Sequence, residues 1–188
     1  MRKLLFLIVF AAIAAVALLP QFRSVDDMGG RRFETLGTPG KEVVVGVCWP
    51  FSINQDGMAN GLQMALDEIN AENGAAGYTI RLVMRDHSYN PENIRSIAVE
   101  FANTPEMSAV IGYYDDTPAV KASLIFEPSR LLHLIIGANN SAMTMHGFQY
   151  IIRTTHSSDK IGPALARISV DRGYRKVALI WEKGAYGE

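Results

Sequence analysis

The stretch Ser108-Ala-Val-Ile-Gly-Tyr-Tyr-Asp-Asp-Thr-Pro118 constrains the fold more than any other part of the chain. An apolar run stops at Gly112, two aromatics and two carboxylates follow, and Thr117-Pro118 opens a helical pattern. That is a buried strand ending in a polar loop that feeds a helix N-terminus. In an open parallel sheet, ligands sit in the crevice beyond such strand ends.

The same unit recurs along the chain. Glu42-Val-Val-Val-Gly-Val-Cys48 is almost continuously apolar and β-branched, which suits a strand covered on both faces. Trp49-Pro50-Phe51-Ser52 breaks it, and Met58, Leu62, Ala65, Leu66 and Ile69 then recur at helical spacing. Asn73-Gly74 suits a left-handed helix end. Tyr78 to Met84 alternates as a second strand, and Asn90-Pro91-Glu92 reads as a cap and first turn. Ile94, Ile97, Ala98 and Phe101 form the inner face of that second helix. Ala109 to Gly112 is the third strand. Asp116 or Thr117 caps a third helix with Pro118 at its first position, Val120, Leu124 and Ile125 supply its packing face, and Pro128 ends it. Leu131 to Ile136 is a fourth strand, and Gly137-Ala-Asn-Asn-Ser141 its terminal loop. Strand–helix alternation of this kind implies an α/β fold with a doubly wound parallel sheet and right-handed crossovers. Beyond it, Gln149 to Arg153 is a short extended piece, Ser158-Asp159 starts a helix running to about Asp171, and Lys176 to Trp181 reads as a fifth strand.

Composition excludes several function classes. A net charge of −1 without a basic stripe gives no push towards nucleic acid. The single cysteine, Cys48, rules out an intramolecular disulfide framework and suits a buried inert thiol. His87, His133, His146 and His156 never fall at metal-ligand spacing, and His133 reads as a satisfied core histidine. No dinucleotide fingerprint, P-loop or nucleophile elbow is present, so neither an enzyme nor a cofactor is expected. Asp115 and Asp116 are adjacent, unlike carboxylates that flank a scissile bond, and a hydrolase built on them is the weakest reading.

The N-terminus points to export. Arg2 and Lys3 precede an unbroken apolar run, Leu4 to Leu19, and Pro20 ends it. Residues 1–19 therefore read as a signal peptide or a retained membrane anchor, with the remainder extracytoplasmic. Residues 20–41, rich in glycine and scattered charge, read as a flexible linker.

A flavodoxin-like strand order opens the crevice between the first and third strands. It brings Trp49 to Ser52, including Phe51, beside Tyr113 to Thr117, with Gly137, Ala138 and Asn139 next in line. Aromatic walls, carboxylates, amides and backbone N–H groups suit a small polar ligand. Each has a simpler alternative. Asp116 and Thr117 serve equally as helix caps, one of the two tyrosines as core, Trp49 and Phe51 as packing, and the asparagines as turn formers.

From Val43 to Glu188 the chain resembles the type I periplasmic solute-binding proteins of the branched-chain amino acid transport class. Gly61-Leu-Gln-Met-Ala-Leu-Asp-Glu-Ile-Asn70, Val110-Ile-Gly112, Phe126-Glu127, Gly147-Phe148, Ile152-Arg-Thr-Thr155 and Ala185-Tyr-Gly-Glu188 carry the likeness by their order and spacing. The resemblance implies two α/β lobes with ligand held between them, residues 42–155 forming an incomplete first lobe and 156–188 the start of the second. Members of that class are longer than 188 residues, so a truncated chain is expected. It implies ligand contacts at Tyr114, Asp116, Gly137 and Asn139, and closure by Tyr186. At the positions of Asp116 and Asn139 the class usually carries small hydroxyl residues; here a carboxylate favours an ammonium, amide or hydroxyl group over a ligand carboxylate. The partners implied are a small polar solute and an ABC permease in the inner membrane, with membrane contact only through an uncleaved N-terminal segment. A membrane-anchored ligand sensor of the same fold is the alternative.

Overall fold

The computed structural model describes residues 30, 32, 34, 42–54 and 57–181. The N-terminal apolar run and Tyr186 lie outside them. Ten elements follow one another: β1 (Glu42–Trp49), α1 (Met58–Ala71), β2 (Thr79–Asp86), α2 (Pro91–Ala102), β3 (Met107–Gly112), α3 (Asp116–Phe126), β4 (Leu132–Ile135), α4 (Ala142–Met145), β5 (Ile151–Arg153) and α5 (Ser158–Asp171). The strands form one sheet in the order β2-β1-β3-β4-β5, and every pair is parallel. The expected doubly wound α/β fold is present.

The order itself divides the helices between the two faces. The chain crosses outward from β1 to β2 through α1, then back over β1 to β3 through α2. Right-handed crossovers in opposite directions place α1 on one face and α2 and α3 on the other. The α2/α3 face holds the core. Ile94, Ile97, Ala98 and Phe101 are all buried, as their spacing required. They pack with Val44, Met107, Val110, Tyr113, Phe126 and Ile135 in one cluster. Asn90 caps α2, its side-chain oxygen accepting the Glu92 and Asn93 N–H groups, with Pro91 at the first position.

The opposite face is thinner. No residue of α1 is fully buried, and Ile69 is exposed although its spacing put it on the packing stripe. Ala109, Ile111, Leu132 and Leu134 face that side and are only half-buried.

Two sequence expectations change here. Lys176 to Trp181 forms no strand, and Leu179, Ile180 and Trp181 stand exposed. β-Branched and aromatic residues favour a strand only where a neighbour supplies the other half of the ladder, and among the described residues no strand pairs with them. Residues Ile151–Arg153, expected as a short extended piece, are instead the fifth strand of the sheet. The start of α3 also differs. Asp115 occupies the cap position without a side-chain cap bond, the helix begins at Asp116, and Pro118 is its third residue. The Asp116 carboxylate is engaged across the sheet edge instead.

His133 is the satisfied core histidine that its place in a strand implied. It is buried, with Nε2 3.3 Å from the Gly112 carbonyl and Nδ1 3.2 Å from the Ser123 hydroxyl. In the neutral ring Nε2–H donates to the Gly112 carbonyl, and Nδ1 faces a Ser123 hydroxyl whose one proton also has the Ala119 carbonyl within reach at 2.8 Å. Burial lowers its pKa to about 4, the Gly112 contact opposing that shift. Between pH 6.5 and 4 the unfolded chain therefore binds a proton that the folded chain refuses, and stability falls as pH drops through that window. His133→Gln is expected to remove up to about 3 kcal/mol of this acid sensitivity, read as a flatter dependence of urea midpoint on pH.

Candidate functional site

The parallel register sets Trp49 beside Asp86, Cys48 beside Gly112 and Ile111 beside Leu134. The loops after β1, β2, β3 and β4 therefore leave from one edge of the sheet. Phe51 on the first loop is half-buried; Tyr114 and Thr117 on the third are exposed; Ala138 and Asn139 on the fourth are buried. Tyr186 lies outside the described residues.

The turn after β3 is tightly built. Gly112 has φ +128°, and a Cβ there would stand 2.3 Å from the Cys48 carbonyl oxygen. Tyr113 follows with φ +49°, and its N–H donates to the same oxygen at 3.1 Å. The turn separates the two tyrosines. Tyr113 is completely buried among Phe126, His87 and His133, while Tyr114 is 43% exposed and meets Trp49 edge-on at 5.1 Å. Of the two, Tyr114 is the one presented at the strand ends. Cys48 is buried beneath them, its pKa pushed up to about 12 chiefly by desolvation, as an inert thiol requires.

Asp116 joins the third loop to the fourth. It is buried, and its Oδ1 accepts the backbone N–H of Asn139 at 2.7 Å and of Asn140 at 3.0 Å. The carbonyls of the same two residues are held from the other side. Arg153 donates to both, at 2.9 and 2.8 Å, and the Ser158 N–H donates to Asn139 at 2.9 Å. Thr155 donates its hydroxyl to Ala138 O at 2.8 Å. Gly137 makes the close approach possible, since a Cβ there would lie 2.6 Å from Tyr114 O. The Asn139 side-chain oxygen is buried with no partner among the described residues.

The loop after β2 adds residues that the sequence did not single out. Asp86 accepts the Ser52 N–H at 2.8 Å and the Ser88 N–H at 2.7 Å, tying it to the Phe51 loop, and these bonds hold its pKa low against a desolvation that would raise it. His87 is buried on Tyr113, with Nδ1 accepting the Tyr89 N–H at 3.1 Å and Nε2 unpartnered among the described residues. Desolvation lowers its pKa, while Asp86 and Asp115 pull it up. Arg153 had entered only as part of the Ile152–Thr155 likeness; its basic head at the end of a short strand was the available signal.

Among the described residues, no cluster of histidine, cysteine and carboxylates suits a metal, and no helix is long and apolar enough to cross a membrane. The edge offers a half-exposed aromatic, carboxylates and a buried amide acceptor, a set that binds polar groups and contains no paired nucleophile and base.

Comparison with known proteins decides the family. The periplasmic binding protein profile matches residues 46–188. This chain belongs to the periplasmic binding protein family. The leucine-specific-binding protein of Salmonella typhimurium is 31% identical over 130 residues, 69% of this chain and 35% of that protein. The Leu/Ile/Val-binding protein of Escherichia coli is 28% identical over 150 residues, 79% of this chain and 41% of that one. An ABC transporter substrate-binding protein from Desulfitobacterium hafniense, solved in complex with Leu, superposes with a TM-score of 0.72 at 29% identity, covering 78% of this chain and 44% of its own. As a family member the chain thus spans less than half the length of these relatives. The first two are named as binding proteins and the third as the substrate-binding protein of an ABC transporter; none is named as an enzyme.

Proposed function

We propose that this chain supplies the ligand-receiving lobe of an extracytoplasmic solute receptor serving an ABC importer. Residues 42–155 are that lobe and 156–188 begin a second. The receptor captures a small polar molecule and passes it to a membrane permease without making or breaking a bond. One observation carries the reading: Tyr114, Asp116, Gly137 and Asn139 converge at one sheet edge on the loops after β3 and β4, where a doubly wound sheet takes its ligands. The names of the relatives, all binding proteins, support it.

The ligand is cationic or neutral-polar, an amine or amide in chemical class. The Asn139 and Asn140 N–H groups form a natural cradle for an anion, and the Asp116 carboxylate already occupies it. A ligand carboxylate brought to about 4 Å from Asp116 would meet a repulsion of roughly 4 kcal/mol at an intermediate dielectric. The buried Asn139 oxygen favours a ligand that donates an N–H or O–H group. Calorimetric titration of the exported protein tests this with a panel of amines, amides and plain aliphatic amino acids. Amines or amides are expected to bind at least tenfold tighter than leucine, and Tyr114→Ala to weaken them. Tight leucine binding that survives Asp116→Ser unchanged would overturn the assignment.

A further inference from the structure

Arg32 lies well before β1, in the segment whose composition reads as a free linker, yet it is 4% exposed. Its guanidinium donates to three backbone carbonyls: Nε to Met107 O at 2.9 Å, one terminal nitrogen to Ala102 O at 2.5 Å, and the other to Ser129 O. The three acceptors come from three places: the last residue of α2, the first of β3, and the connection between α3 and β4. The first of them wants a donor for a reason of its own. Ala102 O sits in the last turn of α2, where carbonyls lack helical partners and the helix dipole favours a cation. A planar fork of five N–H donors reaches all three carbonyls at once, which a lysine ammonium on a single point does not.

We infer that Ala102 O, Met107 O and Ser129 O form a guanidinium socket at the base of the sheet, filled in cis by Arg32. Because every strand runs the same way, this base is the end opposite the loops that carry Tyr114 and Asn139. The socket therefore holds Arg32 at the pole facing away from the ligand edge. Twelve residues separate the apolar run ending at Leu19 from Arg32. At up to 3.6 Å per step, the thirteen steps from Leu19 to Arg32 span at most about 47 Å. In a form that keeps residues 4–19 in a membrane, that reach bounds how far the base can stand from the bilayer.

Hydrogen exchange on the unmodified protein is the first test. Slowed exchange of the Arg32 Nε–H, which donates to Met107 O, supports the socket, and exchange at the rate of a solvent-exposed guanidinium overturns it. Chemical rescue is the second. Arg32→Ala is expected to lower the Tm by roughly 5–10 °C. Millimolar methylguanidinium is expected to restore most of that loss in the variant, leave the unmodified protein unchanged, and act more strongly than methylammonium. An equal shift in both proteins, no rescue, or equal rescue by methylammonium would each contradict a guanidinium-specific socket.

Discussion

Gly112→Ala is expected to destabilise the fold by roughly 4 kcal/mol or more in equilibrium urea unfolding. Two independent penalties meet at that residue. Its φ of +128° is a conformation that a side chain makes costly, at roughly 1–3 kcal/mol. Its missing Cβ would also stand 2.3 Å from the Cys48 carbonyl, a backbone atom that cannot rotate away. Relief requires β1 and β3 to separate where Cys48 and Gly112 pair, which would also cost the Tyr113 N–H its bond to Cys48 O. Gly61→Ala is the control. It lies inside α1 with open space around its Cα, so alanine is expected to stabilise by about 0.5–1 kcal/mol through helix propensity alone. Opposite signs from one substitution at two glycines are the signature of local geometry.

The second large effect is at Asp116. Asp116→Ala is expected to cost roughly 2–4 kcal/mol, because it leaves one buried and one part-buried N–H group without a charged acceptor. The two donors belong to Asn139 and Asn140, whose carbonyls Arg153 still holds. The loop is thus released on one side only. Its movement displaces Asn139 from the sheet edge and frees Gly137 from its close approach to Tyr114. Asp116→Asn keeps an acceptor oxygen in the same volume and is expected to lose less than half as much. Ligand affinity should fall in both variants, more steeply for a cationic ligand, since the asparagine restores geometry without charge.

The sequence shows the sheet more readily than the site, for a physical reason. Glu42–Trp49 and Met107–Gly112 are inner strands, and burial writes itself into apolar runs, while the edge strand Thr79–Asp86 shows as alternation instead. The Asn90-Pro91 start of α2 is legible because a cap is a contact between near neighbours. The convergence of Tyr114, Asp116, Gly137 and Asn139 followed from strand order alone. What Asp116 does there did not: a short polar residue before a helix looks like a cap, and its true partners lie 23 and 24 residues away. Arg32 was hidden for the same reason, with acceptors 70, 75 and 97 residues distant. Lys176 to Trp181 erred in the other direction. Its side chains suit a strand, but strand formation belongs to the pair, and the partner is not written in the segment.

The claim that the loops after β1, β3 and β4 receive the ligand, with Asp116 filling the anion cradle, is tested most directly by amide chemical shifts. The isotope-labelled exported protein is titrated with the tightest amine or amide ligand found. The account predicts that Phe51, Tyr114, Gly137 and the Asn139 side chain shift with saturation, while Thr104 and Met107 at the base stay still. Shifts confined to the base or to α1, or a ligand carboxylate that displaces Asp116 from the Asn139 and Asn140 amides, would contradict it.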